Sequence, residues 1–337
     1  MLLEFDADQR LWQETVRDAV AKQCPPTLVR SVAEDGVDAS SIWLPLWKTY
    51  VDAGWTEMND PKGAVELAIV LEELGRGCDP TPFLATMSQF APLAMDRFDP
   101  TSSGTAVLGG VTARRDLDGW VLDGTARHVL DGDRVDRLAV VTAAGVFVVS
   151  AAEVTARRTP VFDPVLHVAD VSFSGLKIAD DDRVSDADPE RSRHVALTGM
   201  AMTMVGACQR ILELALDYVR ERHQFGVPIG SFQALQHKAT DMHVAIERAR
   251  ALGYFAALTI AADDPRRRLA ATMAKAAAGE CQTLVFRHGL QSFGAMGFTW
   301  ENDLQFALKR AKAGELMLGG AAEHRATIAE EYRAAHF

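Results

Sequence analysis

The feature that most constrains this chain is a double change of texture along its length. Between residues 104 and 173 it runs through "GTAVLGGV", "GWVLDG", "RHVLDG", "DRLAVVTAAGVFVVS" and "HVADVSF", short Val-rich segments broken by Gly or Asp-Gly. Such segments predict closely spaced strands and hairpins, a β-sandwich or small barrel. On both sides the apolar residues return at helical spacing. "ADQRLWQETVRDAVAKQC" (7–24) predicts a helix stopped by Pro25-Pro26, and "SIWLPLWKTYVDAGW" and "GAVELAIVLEELGRG" predict two or three more, with Gly75 and Gly77 as C-cap positions. Beyond a charged linker, "ADDDRVSDADPE" (179–190), Met204, Cys208, Ile211, Leu212, Ala215 and Val219 mark one face of a long helix. "ATDMHVAIERARALGYFAALTIAAD" predicts a second long helix. "PRRRLAATMAKAAAGECQTLVFRHGLQSFG" predicts a third, with Pro265 near its start, and two shorter ones follow. The expected class is α+β, mostly α, in three domains: helical 1–98, β 99–185 and a helical bundle 186–337.

Composition narrows the function. The net charge of −11 and the absence of a Lys/Arg stripe argue against a nucleic-acid partner. Cys24, Cys78, Cys208 and Cys281 are far apart and form no CxxC, which fits a reducing cytoplasm rather than a disulfide scaffold or a zinc site. "MLLEFDADQR" turns acidic at once, unlike a signal peptide, and no apolar run is expected to reach the ~20 residues of a membrane span. His237 and His243 are six apart, on different faces of a helix, so no metal site is expected. "GGAAEH" and "LGGVTA" lack the context of a phosphate loop, and no GxSxG elbow occurs.

Two segments stand out. "RERHQFGVPIGSFQALQHKATDM" (220–242) puts a cation and an amide at a turn between helices. "HGLQSFGAMGFTWENDL" (288–304) ends a helix in Gln291, Gly294 and Gly297, where small residues let a ligand approach the backbone. Each alone reads as an ordinary helix corner.

Together, "RHQFG" at 222–226, "QSFGAMGF" at 291–298 and "KRAK" at 309–312 resemble the C-terminal signatures of the acyl-CoA dehydrogenase family. "WLPLWKTYVDAGW" and "AIVLEELGRGCDPTPF" are similar to its N-terminal helices, and the helix–sheet–helix order matches. The resemblance implies an N-terminal helical domain, a middle β domain, a C-terminal four-helix bundle and FAD as cofactor. By that resemblance Arg222, Gln224 and Phe225 reach across a subunit interface to the pyrophosphate end of a neighbour's FAD, a fitting partner for a guanidinium. Gln291 and the backbone around Gly294 and Ala295 join them, Ala295 standing where the family has glycine.

Elsewhere the chain departs from the family. Dehydrogenation needs a carboxylate to take the α-proton of an acyl-CoA. The two positions where members place that base are Leu318 and Ala196 here, with Glu315 three residues before the first. The "Thr-Glu-Pro-x-x-Gly-Ser-Asp" motif is missing, "Trp-Ile-Thr-Asn" reads "HVLD" (128–131) so that Leu130 brings no hydroxyl, and the Thr after the catalytic Glu is Gly320. Groups for the chain's own flavin ring are lost, while groups for a neighbour's FAD are kept. The resemblance therefore implies the non-catalytic subunit of a heterotetramer, with a homologous partner supplying the Glu and the ring site. In pattern it resembles the α2β2 enzymes of actinobacterial steroid side-chain degradation, which act on CoA thioesters. A flavin-dependent monooxygenase of the same fold and a non-enzymatic acyl-CoA-binding scaffold are the competing readings.

Overall fold

The computed structural model describes residues 4–35 and 40–336. The helices before the sheets are α1 (Ala7–Gln23), α2 (Pro26–Asp35), α3 (Ser40–Asp52) and α4 (Ala64–Gly77), then the short α5 (Phe83–Ala85) and α6 (Ala91–Ala94) joined by a π-helical stretch, Thr86–Phe90. The strands are β1 (Gly104–Val107), β2 (Val111–Asp116), β3 (Gly119–Leu130), β4 (Arg137–Thr142), β5 (Gly145–Ser150), β6 (Thr155–Arg158), β7 (Val168–Ile178) and β8 (Arg183–Val184). After them come α7 (Pro189–Glu221), a hairpin of β9 (His223–Gln224) and β10 (Val227–Pro228), α8 (Gln233–Ala261), α9 (Arg267–Phe293), α10 (Leu304–Leu316) and α11 (Ala321–His336). By packing, the chain divides into two compact units. One comprises Met1–Ser31, Pro61–Asp79 and Leu197–Phe337, and the other Val32–Asp60 and Pro80–Ala196.

The second unit contains the expected strands as two four-stranded sheets, ordered β1-β4-β5-β8 and β2-β3-β7-β6. Val107, Leu138, Val140, Phe147 and Val149 of the first share one buried cluster with Leu122, Val129, Val171 and Phe173 of the second, which makes a sandwich. All pairings are antiparallel except β1 with β4. Part of the expected charged linker is a strand, since Arg183 and Val184 pair with Phe147 and Val146. Trp47 and Tyr50 of α3 meet Phe83 edge-on, and Tyr50 stacks on Trp55 at 4.8 Å, an aromatic core beside the sheets.

The first unit is helical. Asp6 and Gln9 form a reciprocal capping box on α1. Helix α4 ends on Cys78, whose backbone is left-handed (φ 54°) and whose N–H bonds Gly75 and Leu74. This corrects the expectation that Gly75 or Gly77 caps it, for both lie inside the helix. Gly75 is needed for packing, because a Cβ there would sit 2.2 Å from the carbonyl oxygen of Thr203 on α7; likewise one on Gly206 would sit 1.8 Å from that of Glu72. The two helices cross backbone to backbone.

That crossing buries charge. Glu72 accepts from Arg250 Nε and Tyr254 Oη, each at 2.7 Å, and Glu73 accepts from Arg17 at 2.8 Å and Arg76 at 3.3 Å. Paired in this way the carboxylates are stable inside the bundle, and removal of one partner strands the other. By length and composition helix α7 is one that could cross a membrane, but most of its apolar stretch is buried inside the fold, as in the core helix of a bundle.

Candidate functional site

The hairpin after α7 carries three of the candidate residues. Arg222 N–H still bonds Tyr218 O at 2.9 Å, and Ile229 N–H returns to Arg222 O at 2.8 Å. Gln224 pairs with Val227, leaving Phe225 and Gly226 as the two central residues. Both have positive φ, 55° and 82°, the geometry of a type I′ turn. A glycine takes that conformation freely, whereas a phenylalanine is strained there by about 1 kcal/mol. Phe225 is 92% exposed, its ring in edge contact with Phe232 at 6.0 Å. The Arg222 side chain is exposed and makes no hydrogen bond among the described residues, and Gln224 uses only its NH2, on His223 O.

The second candidate segment closes α9. Gly294 (φ 57°, ψ −138°) caps the helix, its N–H on Gln291 O, and a 3-10 turn, Gly294–Phe298, follows. Beside it lies a groove of about 520 Å³ that includes Gln291, Gly294, Phe286, Arg287, Phe298 and Lys312 in its lining. The side chains of Gln291, Arg287 and Lys312 have no hydrogen-bond partner among the described residues. Arg287 and Lys312 were not singled out from sequence. Lys312 lay in plain view in "KRAK", and Arg287 falls four residues before Gln291, one helical turn away on the same face.

The structure places Gln291 and Gly294 in the groove, and Arg222, Gln224 and Phe225 outside its lining. Ala295 is exposed on the 3-10 turn but is not part of that lining either. The two segments are joined through their helices: Tyr218 on the last turns of α7 stacks on Phe293 at 4.3 Å.

The family base positions lie elsewhere. Ala196 is buried on α7. Leu318 is half-buried at φ 57° in the turn between α10 and α11. Buried Lys275 donates to Gly319 O at 2.8 Å, and His324 Nε2 lies 3.0 Å from Leu318 O. Glu315 accepts the first N–H of α11, from Ala321, at 2.9 Å, and its other oxygen is buried against Gly279, where a Cβ would fall 2.0 Å away. Burial lowers the Lys275 ammonium to about 8, against the opposing pull of Glu315 and Glu323.

At "HVLD", His128 and Asp131 both have positive φ across a bulge of β3, and Leu130 is buried. Asp131 pairs with Arg134 at 2.5 Å, Arg134 lies over the Trp43 ring at 5.0 Å, and His167 bonds Asp133 at 3.0 Å. Burial raises the Asp131 carboxyl, opposed by Arg134 and His167. This ion cluster was not expected, since His167, just before β7, reaches Asp133 only when β7 pairs with β3. Among the described residues no three His, Cys, Asp or Glu are grouped to hold a metal.

Comparison with known proteins assigns this architecture. Residues 195–332 match the model of the acyl-CoA dehydrogenase C-terminal domain. Acyl-CoA dehydrogenase IpdE2 of Mycolicibacterium smegmatis is 30% identical over 93% of this chain and 94% of its own length. The chain belongs to the acyl-CoA dehydrogenase family. Among solved structures, the ChsE4-ChsE5 complex from Mycobacterium tuberculosis aligns with a TM-score of 0.87 at 22% identity, covering 99% of each chain. A variant of the Tcur3481-Tcur3483 steroid ACAD aligns at 0.85 and 23% identity, covering 98% of each. Acyl-CoA dehydrogenases are FAD-dependent oxidoreductases. The groove of this acyl-CoA dehydrogenase suits an anionic, partly aromatic cofactor. Arg287 and Lys312 offer unused cationic donors, Phe286 and Phe298 offer flat apolar faces, and the bare backbone at Gly294 permits close approach.

Proposed function

We propose that this chain is the non-catalytic subunit of a heteromeric acyl-CoA dehydrogenase. One observation carries the reading. The carboxylate nearest the family base position, Glu315, caps α11, while the donors of Arg222, Arg287, Gln291 and Lys312 are unused among the described residues. A chain built for its own proton abstraction would present a carboxylate to solvent or substrate. This one presents cations and amides.

In this reading Arg222 and Gln224 neutralise and orient the pyrophosphate of an FAD whose ring lies in a homologous partner. Phe225, held out by its turn, seats against that partner. Gln291, Gly294 and Ala295 line the adenosine end, with Arg287 and Lys312 beside them. When bound, FAD supplies the acceptor for the hydride that leaves the β-carbon of the acyl-CoA; the partner supplies the base. Residues 1–98, 99–185 and 186–337 serve as the helical, sheet and bundle domains of the subunit, the last of them contacting cofactor and partner. A CoA thioester of a steroid side chain is the proposed substrate class, by likeness to the steroid ACAD structure. The four buried free thiols suit the cytoplasm.

The test is flavin absorbance of this chain purified alone and co-expressed with a longer homologue that carries an intact Glu-Gly-Thr motif. A colourless lone chain and a yellow, equimolar, acyl-CoA-oxidising complex are expected. A yellow and active lone chain would overturn the assignment.

A further inference from the structure

The helical unit holds a second cavity, which shares no lining residue with the groove at Gln291. Its volume of about 180 Å³ is below the ~300–1,000 Å³ of sites for drug-sized ligands, so an occupant has few heavy atoms. One wall is apolar, made by Val20 and Ala21 of α1, Val29 of α2 and Phe306 of α10. The other carries Arg17, Arg76, Arg210 and Glu73.

Hydrogen bonding on the charged wall is one-sided. Both oxygens of Glu73 are taken, one by Arg17 Nε and Nη2, the other by Arg76 Nη1. Glu213, behind the wall, already receives Arg76 Nε and Gln209. Asp303, at the rim, is held by Arg30 at 2.5 Å. The donors are in excess. Among the described residues Arg210 makes no hydrogen bond, its guanidinium lying 3.9 Å from Glu213, and Arg17 Nη1 and Arg76 Nη2 have no acceptor. The Cys24 thiol, also in the lining, is pushed well up by burial and so adds no negative charge.

Apart from Asp303, which Arg30 holds through one oxygen at the rim, the charged side chains left with unused hydrogen-bonding groups among the described lining residues are the guanidinium donors, and such donors over an apolar wall select an acceptor head with a short apolar tail. We propose that this cavity binds a short-chain monocarboxylate, such as propanoate or butanoate. Arg210 takes the carboxylate as a fork, and Val20, Val29 and Phe306 cover the tail.

Isothermal titration of the full chain with sodium butanoate, at matched ionic strength, tests this. Butan-1-ol and butylammonium serve as probes of the tail alone and of the opposite charge. Saturable one-site binding is expected for butanoate only, weakened at least ~tenfold in R210Q, which removes the charge-assisted bonds from a half-exposed side chain. A21L, which fills the exposed mouth without touching the charged wall, is expected to weaken it as well. Butanoate heats equal to those of butylammonium, or both variants binding as the unmodified chain does, would overturn the proposal.

Discussion

The hairpin at 222–232 and the turn at 315–324 are alike in backbone and opposite in bonding. Each holds a large apolar residue at positive φ, Phe225 at 55° and Leu318 at 57°. Around Leu318 the neighbouring polar groups are used inside the fold: Lys275 on Gly319, His324 at Leu318, Glu315 on Ala321. Around Phe225 the side chains of His223, Gln224 and Ser231 make only local bonds to backbone carbonyls, and the exposed Arg222 side chain makes no hydrogen bond among the described residues. Strain held by internal bonds serves the fold. Strain that displays an exposed ring beside an unbonded guanidinium costs stability without local return, which points to a use outside the chain.

Removing Lys275 attacks the closed turn with the largest effect. Its folded-state pKa of about 8 lies below the ordinary 10.5, so between those values the unfolded chain binds more protons. Stability therefore rises with pH across that window and is lost as pH falls toward 8, by about 3 kcal/mol. K275M should flatten the slope, as read by urea unfolding at pH 8 and 10.5; an unchanged slope would mean that Lys275 is not the titrating group. Next is Glu315. Truncation in E315A removes the α11 cap and the charge nearest Lys275, for a loss of about 2 kcal/mol. E315Q, which keeps an accepting oxygen, should leave turnover of the heteromeric complex intact. A hundredfold fall in kcat with E315Q would make Glu315 the base and erase the contrast between the two regions.

On the open side, R222A should leave stability within ~0.5 kcal/mol while lowering flavin retention in the complex about tenfold, measured by absorbance after gel filtration. The smallest effect compares the two strained residues directly. F225G should raise stability by up to about 1 kcal/mol, because almost no apolar contact is lost with a side chain 92% exposed. L318G should gain less, since Leu318 is half-buried, and only F225G should reduce cofactor retention.

Much of this was legible in sequence. The helix–strand–helix order follows from periods of 3.6 and 2, which are properties of neighbouring residues, and "RHQFG" and "QSFGAMGF" fix the two corners. The choice of Cys78 over Gly75 as the α4 terminus was not legible, because Gly75 is required by Thr203, 128 positions along the chain. The same holds for His167, an ordinary polar residue until the pairing of β7 with β3 brings it to Asp133.

The sequence alone therefore determined the long elements, their order and the family, since each depends on local pattern. Tertiary structure decided which charged groups are used and which are free. Glu315 as the cap of α11, Lys275 as a buried donor, and Arg210, Arg222, Arg287 and Lys312 as side chains without a hydrogen bond among the described residues are facts about what each side chain meets across the fold. No spacing within one segment encodes the distance to a partner on another.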